Sequence, residues 1–248
     1  MNYGLAFKTS IEEANRVPRH SAGVRIAHWI VVLSVLGLLC SGLAILLAHP
    51  RLYWGEAGAL GAPSLVDLPL PLVIGPSVWN RPIHFLFAWI LVLTGLTYVV
   101  AGFKTRHFSR DLLPAKAELT WSNIKGTVCD YMRWKQTRAN GAATYNVLQR
   151  MTYLAVIFVV FPAIVWTGLA MSPTLMSAFP MIVTVLGGHQ SARTLHFVFV
   201  SLLMIFLIVH IAMVCLAGFG NRMRAMTTGH SVARKERHEP PALPASAD

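Results

Sequence analysis

Four histidines fall within or at the entrance of long apolar segments: His28, His84, His196 and His210. An imidazole in hydrocarbon is costly unless it turns inward onto a partner, and such a residue marks a functional position by default. Its chemistry there is ligation of a metal, or hydrogen bonding to a neighbouring helix. Spacing separates the two. His196 and His210 are fourteen residues apart. On a helix that is nearly four turns, so both side chains point the same way, about 21 Å apart along the axis. One metal ion, whose ligand atoms lie about 2 Å from it, cannot use both. Two stacked cofactors can, one in each leaflet of a membrane.

The elements that must carry these residues follow from composition. Of 248 residues, 55% are hydrophobic and 12% charged, and the charged share is about half that of a soluble domain. Four unbroken apolar stretches run over about 26–48, 82–103, 148–171 and 192–219. Each reaches the roughly 20 residues needed to cross about 30 Å of hydrocarbon. All four must be helices, because lipid offers no partner to exposed backbone groups. The expected fold is all-α: an integral membrane four-helix bundle over 26–219, preceded by a polar segment 1–25 and followed by a polar tail 220–248. The first 25 residues lack the pattern of a secretory signal, and the apolar run after them has the length of a full span.

Lysine and arginine give the orientation. Four precede the first span, nine lie between the second and third, and five are in the tail: eighteen on one side. Arg51, Arg81 and Arg193 are the three on the other. Both termini and the long middle loop are therefore expected on the cytoplasmic side of a bacterial inner membrane, in contact with its lipids. The same asymmetry accounts for the net charge of +11 without a nucleic-acid partner.

Depth then pairs the histidines. The first span enters from the cytoplasm, the second and fourth from the periplasm. His84 and His196 are at one depth near the periplasm, and His28 and His210 at another towards the cytoplasm. Each pair can supply two axial imidazoles to one haem iron, and a four-helix bundle is a natural cavity for such groups. Cys40, Cys129 and Cys215 are scattered, with no Cys-x-x-Cys-His for covalent attachment, so any haem is b-type, held by side chains and packing. Arg25, Arg81 and Arg193 each stand three residues before a candidate ligand. They suit haem propionates and equally the phosphates of lipid headgroups. Gly37, Gly42, Gly95, Gly102 and Gly168 allow close approach of a flat macrocycle, or of another helix. His49 and His189 stand in as ligands if one of the four does not serve.

Among the connecting segments, 50–80 reads as a proline-rich periplasmic loop near the membrane surface, and 174–186 as a short interfacial helix on the same side. Residues 118–136 carry Trp121, Ile124, Val128, Tyr131 and Trp134 at helical spacing, the stripe of an interfacial amphipathic helix or of a contact with a partner or a second copy.

The run Arg25-Ile-Ala-His28-Trp29 resembles the opening of the first helix in bacterial di-haem cytochromes b, the membrane subunits of nickel–iron hydrogenases, formate dehydrogenases and thiosulfate reductase-like systems. The single histidine near the start of the second span and the fourteen-residue spacing in the last resemble that superfamily too. Gly187–Phe197 (GGHQSARTLHF) and Gly218–Gly229 (GFGNRMRAMTTG) are most similar to its thiosulfate reductase cytochrome b-type branch. The resemblance spans about 18–230. It implies two non-covalent bis-histidine haems b, with His84 and His196 on the periplasmic one and His28 and His210 on the one beside a quinone or quinol site. It also implies a periplasmic catalytic subunit, a molybdopterin oxidoreductase or, as in the hydrogenase relatives, an iron–sulfur partner. Two other readings remain. A transporter of metal or small molecules through intramembrane histidines would lack acidic ligands here, since the spans hold no Asp or Glu. A structural anchor would leave the histidines without a task.

Overall fold

The structure, a computed structural model, describes residues 21–58, 63–69, 78–106, 108, 113, 120, 125, 147–216 and 218–230. The stripe from Trp121 to Trp134 lies outside them. The chain divides into two compact units, Ile26–Ala217 and a smaller one made of the residues before Ile26 and after Ala217.

The larger unit holds four helices long and apolar enough to cross a membrane. Helix α1 is Ala22–Ala48, of which the first turn belongs to the smaller unit. A two-stranded antiparallel ribbon follows, β1 (Arg51–Leu52) paired with β2 (Val66–Asp67). Helix α2 is Asn80–Lys104. The third span runs through α3 (Val147–Ala155), a π-helical turn (Val156–Val160) and α4 (Phe161–Ala170). Two short helices, α5 (Pro173–Ala178) and α6 (Met181–Thr184), lead to α7 (His189–Leu216). The segment 174–186, expected as one helix, is thus broken at Phe179–Pro180.

The spans are inside-out relative to a soluble bundle. Large apolar side chains recur at three- and four-residue steps on the outward faces, such as Ile83, Leu86, Ile90, Leu93 and Leu96 on α2. Most buried positions of the described spans are small or hydroxylic, Ser34, Ser41, Thr167, Ala170, Ser191, Ala192 and Thr194, with Leu91 and Val156 as the large apolar exceptions. Lipid is as apolar as leucine, so helices associate through close packing and hydrogen bonds rather than through an apolar core.

The π turn has a local cause. Pro162 has no N–H and crowds the carbonyl one turn upstream. The turn absorbs this: Phe161 N–H bonds Val156 O, five residues back, the pattern of a π-bulge.

The start of α7 is completed by another part of the chain. The first N–H groups of any helix lack intrahelical acceptors. Here Gln190 N and Ser191 N donate to Gly55 O at 3.0 and 3.3 Å, and His189 N donates to Glu56 Oε2 at 3.3 Å. Gly55 N donates to Ser191 Oγ at 2.8 Å, and Thr194 Oγ1 donates to Tyr53 O at 2.6 Å. The carboxylate of Glu56 also suits the positive end of the helix dipole. Backbone meets backbone here because Gly188, at φ +111°, has no Cβ: one added there would lie 2.6 Å from the Gly55 carbonyl.

In the smaller unit, Ser21 caps the first turn of α1 through Val24 N at 3.4 Å and Arg25 N at 3.2 Å. Helix α8 (Phe219–Thr228) begins after Gly218, which is left-handed at φ +97°.

Candidate functional site

The two histidines at the N-terminal ends of α2 and α7 meet. The rings of His84 and His196 stand 6.4 Å apart between centroids, at an interplanar angle of 69°. Each ring is held from behind by a different helix, in the same way. His84 Nδ1 is 3.0 Å from Ser41 Oγ on α1, and His196 Nδ1 is 2.9 Å from Thr167 Oγ1 on α4. The next residue is glycine in both cases. A Cβ on Gly42 would lie 3.3 Å from His84 Cε1, and one on Gly168 would lie 3.4 Å from His196 Cε1.

The other glycines singled out in the sequence have different neighbours. Gly37 faces the Phe87 ring and Gly102 the Phe108 ring, whereas the space beside Gly95 is open.

His28 and His210 occupy separate aromatic surroundings. His28 is edge-on to Trp29 at 5.5 Å. His210 stacks on Phe206 at 5.8 Å and 25°, with Tyr153 from α3 edge-on at 6.4 Å. Helix α7 runs unbroken through His196 and His210, which keeps the two about 21 Å apart along its axis.

The arginines divide between the two units. Arg193 Nη2 donates to the backbone carbonyl of His49, and the charges of Arg193 and Arg81 both act on the His49 ring. Two guanidinium groups thus converge one turn beyond His84 and His196, towards the same end of the bundle. Arg25 lies in the smaller unit, where its Nη1 donates to Thr227 O at 2.8 Å. Of the two stand-in ligands, His49 accepts the Arg193 bond through its backbone carbonyl, and the backbone N–H of His189 donates to Glu56 at the start of α7.

His49 lies beyond the span, and its pKa is lowered from the ordinary 6.5, first by burial and then by the charges of Arg193 and Arg81. The unfolded chain therefore binds this proton at higher pH than the folded one does. The stability that His49 contributes is complete above pH 6.5 and is lost as pH falls below it. Thermal unfolding between about pH 8 and pH 5 should show a steeper acid-side decline for the natural protein than for His49→Gln, with the two converging above the ordinary histidine range.

Ser41, Thr167 and Glu56 are contributors that sequence reasoning passed over. One signal was present: a hydroxyl residue followed by glycine, Ser41-Gly42 and Thr167-Gly168, each in the span before one that opens with Arg-x-x-His.

Known proteins agree with this architecture. The family of prokaryotic cytochrome b561 matches residues 19–229. A putative protein-methionine-sulfoxide reductase subunit, YedZ1 of Azospira oryzae, is 29% identical over 214 residues, covering 85% of this chain and 96% of the relative. No solved structure matches. Four apolar spans, inward histidines and a family match over most of the length lead to one conclusion: the chain belongs to the prokaryotic cytochrome b561 family, haem-b-binding electron-transfer proteins that cross the bacterial inner membrane several times.

Proposed function

We propose that this chain carries electrons across the membrane through two haems b, one between His84 and His196 and the other between His28 and His210. The observation that carries the reading is the 6.4 Å separation of the His84 and His196 rings. Two imidazoles that would both bind one metal, with bonds of about 2.0–2.1 Å and roughly 1.1 Å from nitrogen to ring centre, could have centres up to about 6.3 Å apart. The donor set fits as well. Two imidazoles are too few to cage a bare ion, but they would serve as the protein ligands of an iron already held in a macrocycle. The glycines leave the rings free to lie flat against α1 and α4.

When bound, haem iron supplies one-electron redox chemistry. The chain does the rest. The four imidazoles hold and orient, the lipid-facing spans exclude water, and Arg81 and Arg193 supply positive charge for propionates near the first pair. Arg25 is proposed for the same task only on its place in the sequence, three residues before His28. The concentration of lysine and arginine in the middle loop and tail supports cytoplasmic termini, which puts His84 and His196 towards the periplasm.

On this orientation the periplasmic pair exchanges electrons with a catalytic subunit, and the cytoplasmic pair with quinone or quinol. The relative's name, a subunit of a putative protein-methionine-sulfoxide reductase, supports an oxidoreductase partner. A molybdopterin enzyme is the class proposed. The test is a reduced-minus-oxidised spectrum of the purified protein with pyridine haemochrome quantitation. Two haems b per chain are expected. A haem-free folded protein would overturn the reading.

A further inference from the structure

We propose that Ser41 and Thr167 are positioning residues that hold the imidazoles of His84 and His196 in the Nδ1–H tautomer and thereby set the donor strength of the opposite nitrogen, Nε2. The inference rests on the assignment of His84 and His196 to one haem.

A hydroxyl has a single proton to give. Ser41 Oγ is 2.7 Å from Gly37 O, and Thr167 Oγ1 is 2.7 Å from Ala163 O, both the carbonyl one turn back on the same helix. These are ordinary lengths for a well-formed O–H···O bond. A carbonyl can only accept, so the hydroxyl proton is committed there. Towards the histidines each oxygen is left as an acceptor, and Nδ1 must donate across the 3.0 and 2.9 Å contacts. The proton on Nδ1 leaves Nε2 with its lone pair, the neutral imidazole that a metal binds. The partner of the other ring nitrogen decides which tautomer is present and how basic the ligand is. The bond into the carbonyl also polarises the hydroxyl and strengthens its oxygen as an acceptor.

A buried serine or threonine in a span commonly bonds its own helix and does nothing more. Two features set these apart. Both hydroxyls have a histidine ring nitrogen as a second partner, and both directly precede the glycine that makes room for Cε1 of the same ring. The two arrangements arise on different helix pairs, α1 with α2 and α4 with α7, so no shared backbone element enforces the likeness.

A hydrogen bond accepted from Nδ1–H pushes electron density onto the ring and favours the oxidised iron. In the full-length protein purified in detergent, Ser41→Ala and Thr167→Val should each raise the midpoint potential of the haem between His84 and His196. The expected change is about three- to tenfold in the reduction equilibrium, tenfold being about 59 mV for one electron. The low-spin ferric electron paramagnetic resonance of that haem should shift as well, because its ligand plane is no longer pinned. Ser41→Thr and Thr167→Ser keep the hydroxyl and should restore both readouts. A role in packing alone would move thermal stability and leave these unchanged. If potentials and resonances stay at their natural values in both hydroxyl-free variants with haem bound, the inference is overturned while the ligand assignment stands. If His84→Ala keeps the full haem content and spectrum, the assignment itself falls. The two variants act on opposite ligands of one haem, so either alone suffices should the other not accumulate.

Discussion

His196→Ala is expected to cut the haem content from two per chain to one. His196 is held between Thr167 and His84 near the start of α7. His189 lies seven residues earlier on α7, about 10 Å away along the axis, with its backbone committed to Glu56. The haem that remains should be the one proposed between His28 and His210, because the ring contacts of His210 are with Tyr153 and Phe206, not with the residues that hold the His84 pair. Pyridine haemochrome quantitation reads the count, and redox titration shows which potential has gone. Imidazole added to the truncated site should restore part of the lost absorbance. A count that stays at two after His196→Ala, with the protein folded by circular dichroism, would contradict the pairing. His210→Ala should remove the other component instead. On the proposed two-haem path each haem is a necessary step, so electron flow through the membrane should fall to background in both variants.

The largest loss of stability from a single methyl group is expected at Gly188→Ala. The backbone there has φ +111°, where an L side chain costs about 1–3 kcal/mol. The added Cβ would also lie 2.6 Å from the Gly55 carbonyl. That carbonyl is the acceptor for Gln190 N and Ser191 N. Pushing it away strands donors at the start of α7, each costing about 1–3 kcal/mol if buried without a partner. Strain together with the loss of one of these two bonds gives a total of about 2–6 kcal/mol. Gly187→Ala should be milder: φ is +81°, but the new Cβ would find only Ser191 Oγ at 3.4 Å and other ordinary contacts. Gly220→Ala, with open space around it, should be neutral. Thermal unfolding in detergent, followed by loss of the haem Soret band, gives the order. Equal effects at Gly188 and Gly220 would mean that the junction between the Gly55 loop and α7 does not limit stability.

Much of this was legible in the sequence because a membrane narrows the options. A stretch of 20 apolar residues must become a helix when lipid offers its backbone no partner, so the four spans could be read from hydropathy. Helix starts were less visible. Helix α7 begins at His189, three residues before the apolar run does, because acceptors for its first turn arrive from Gly55 and Glu56, more than 130 positions earlier. The π turn at Val156–Val160 was not read from the sequence, which pointed to one continuous span there; Pro162, with no N–H, is its local cause.

Side-chain contacts between helices were not legible in the same way. Depth along each span follows from counting residues, and it put His84 level with His196. Whether the two rings face each other depends on the rotation of α2 and α7 about their own axes, which packing against α1 and α4 decides. Ser41 and Thr167 show the limit most clearly. A hydroxyl in a span satisfies itself on the carbonyl one turn back, so the Ser41-Gly42 and Thr167-Gly168 pairs hint at a close neighbour without saying which ring it is. The amino-acid sequence by itself determined the spans, their number and the position of each histidine along its helix, since these depend on the solvent and on rise per residue. Only the tertiary structure decided which hydroxyl stands behind which imidazole, and which glycine opens onto it, because those contacts are set by helix rotation and by loops that join distant parts of the chain.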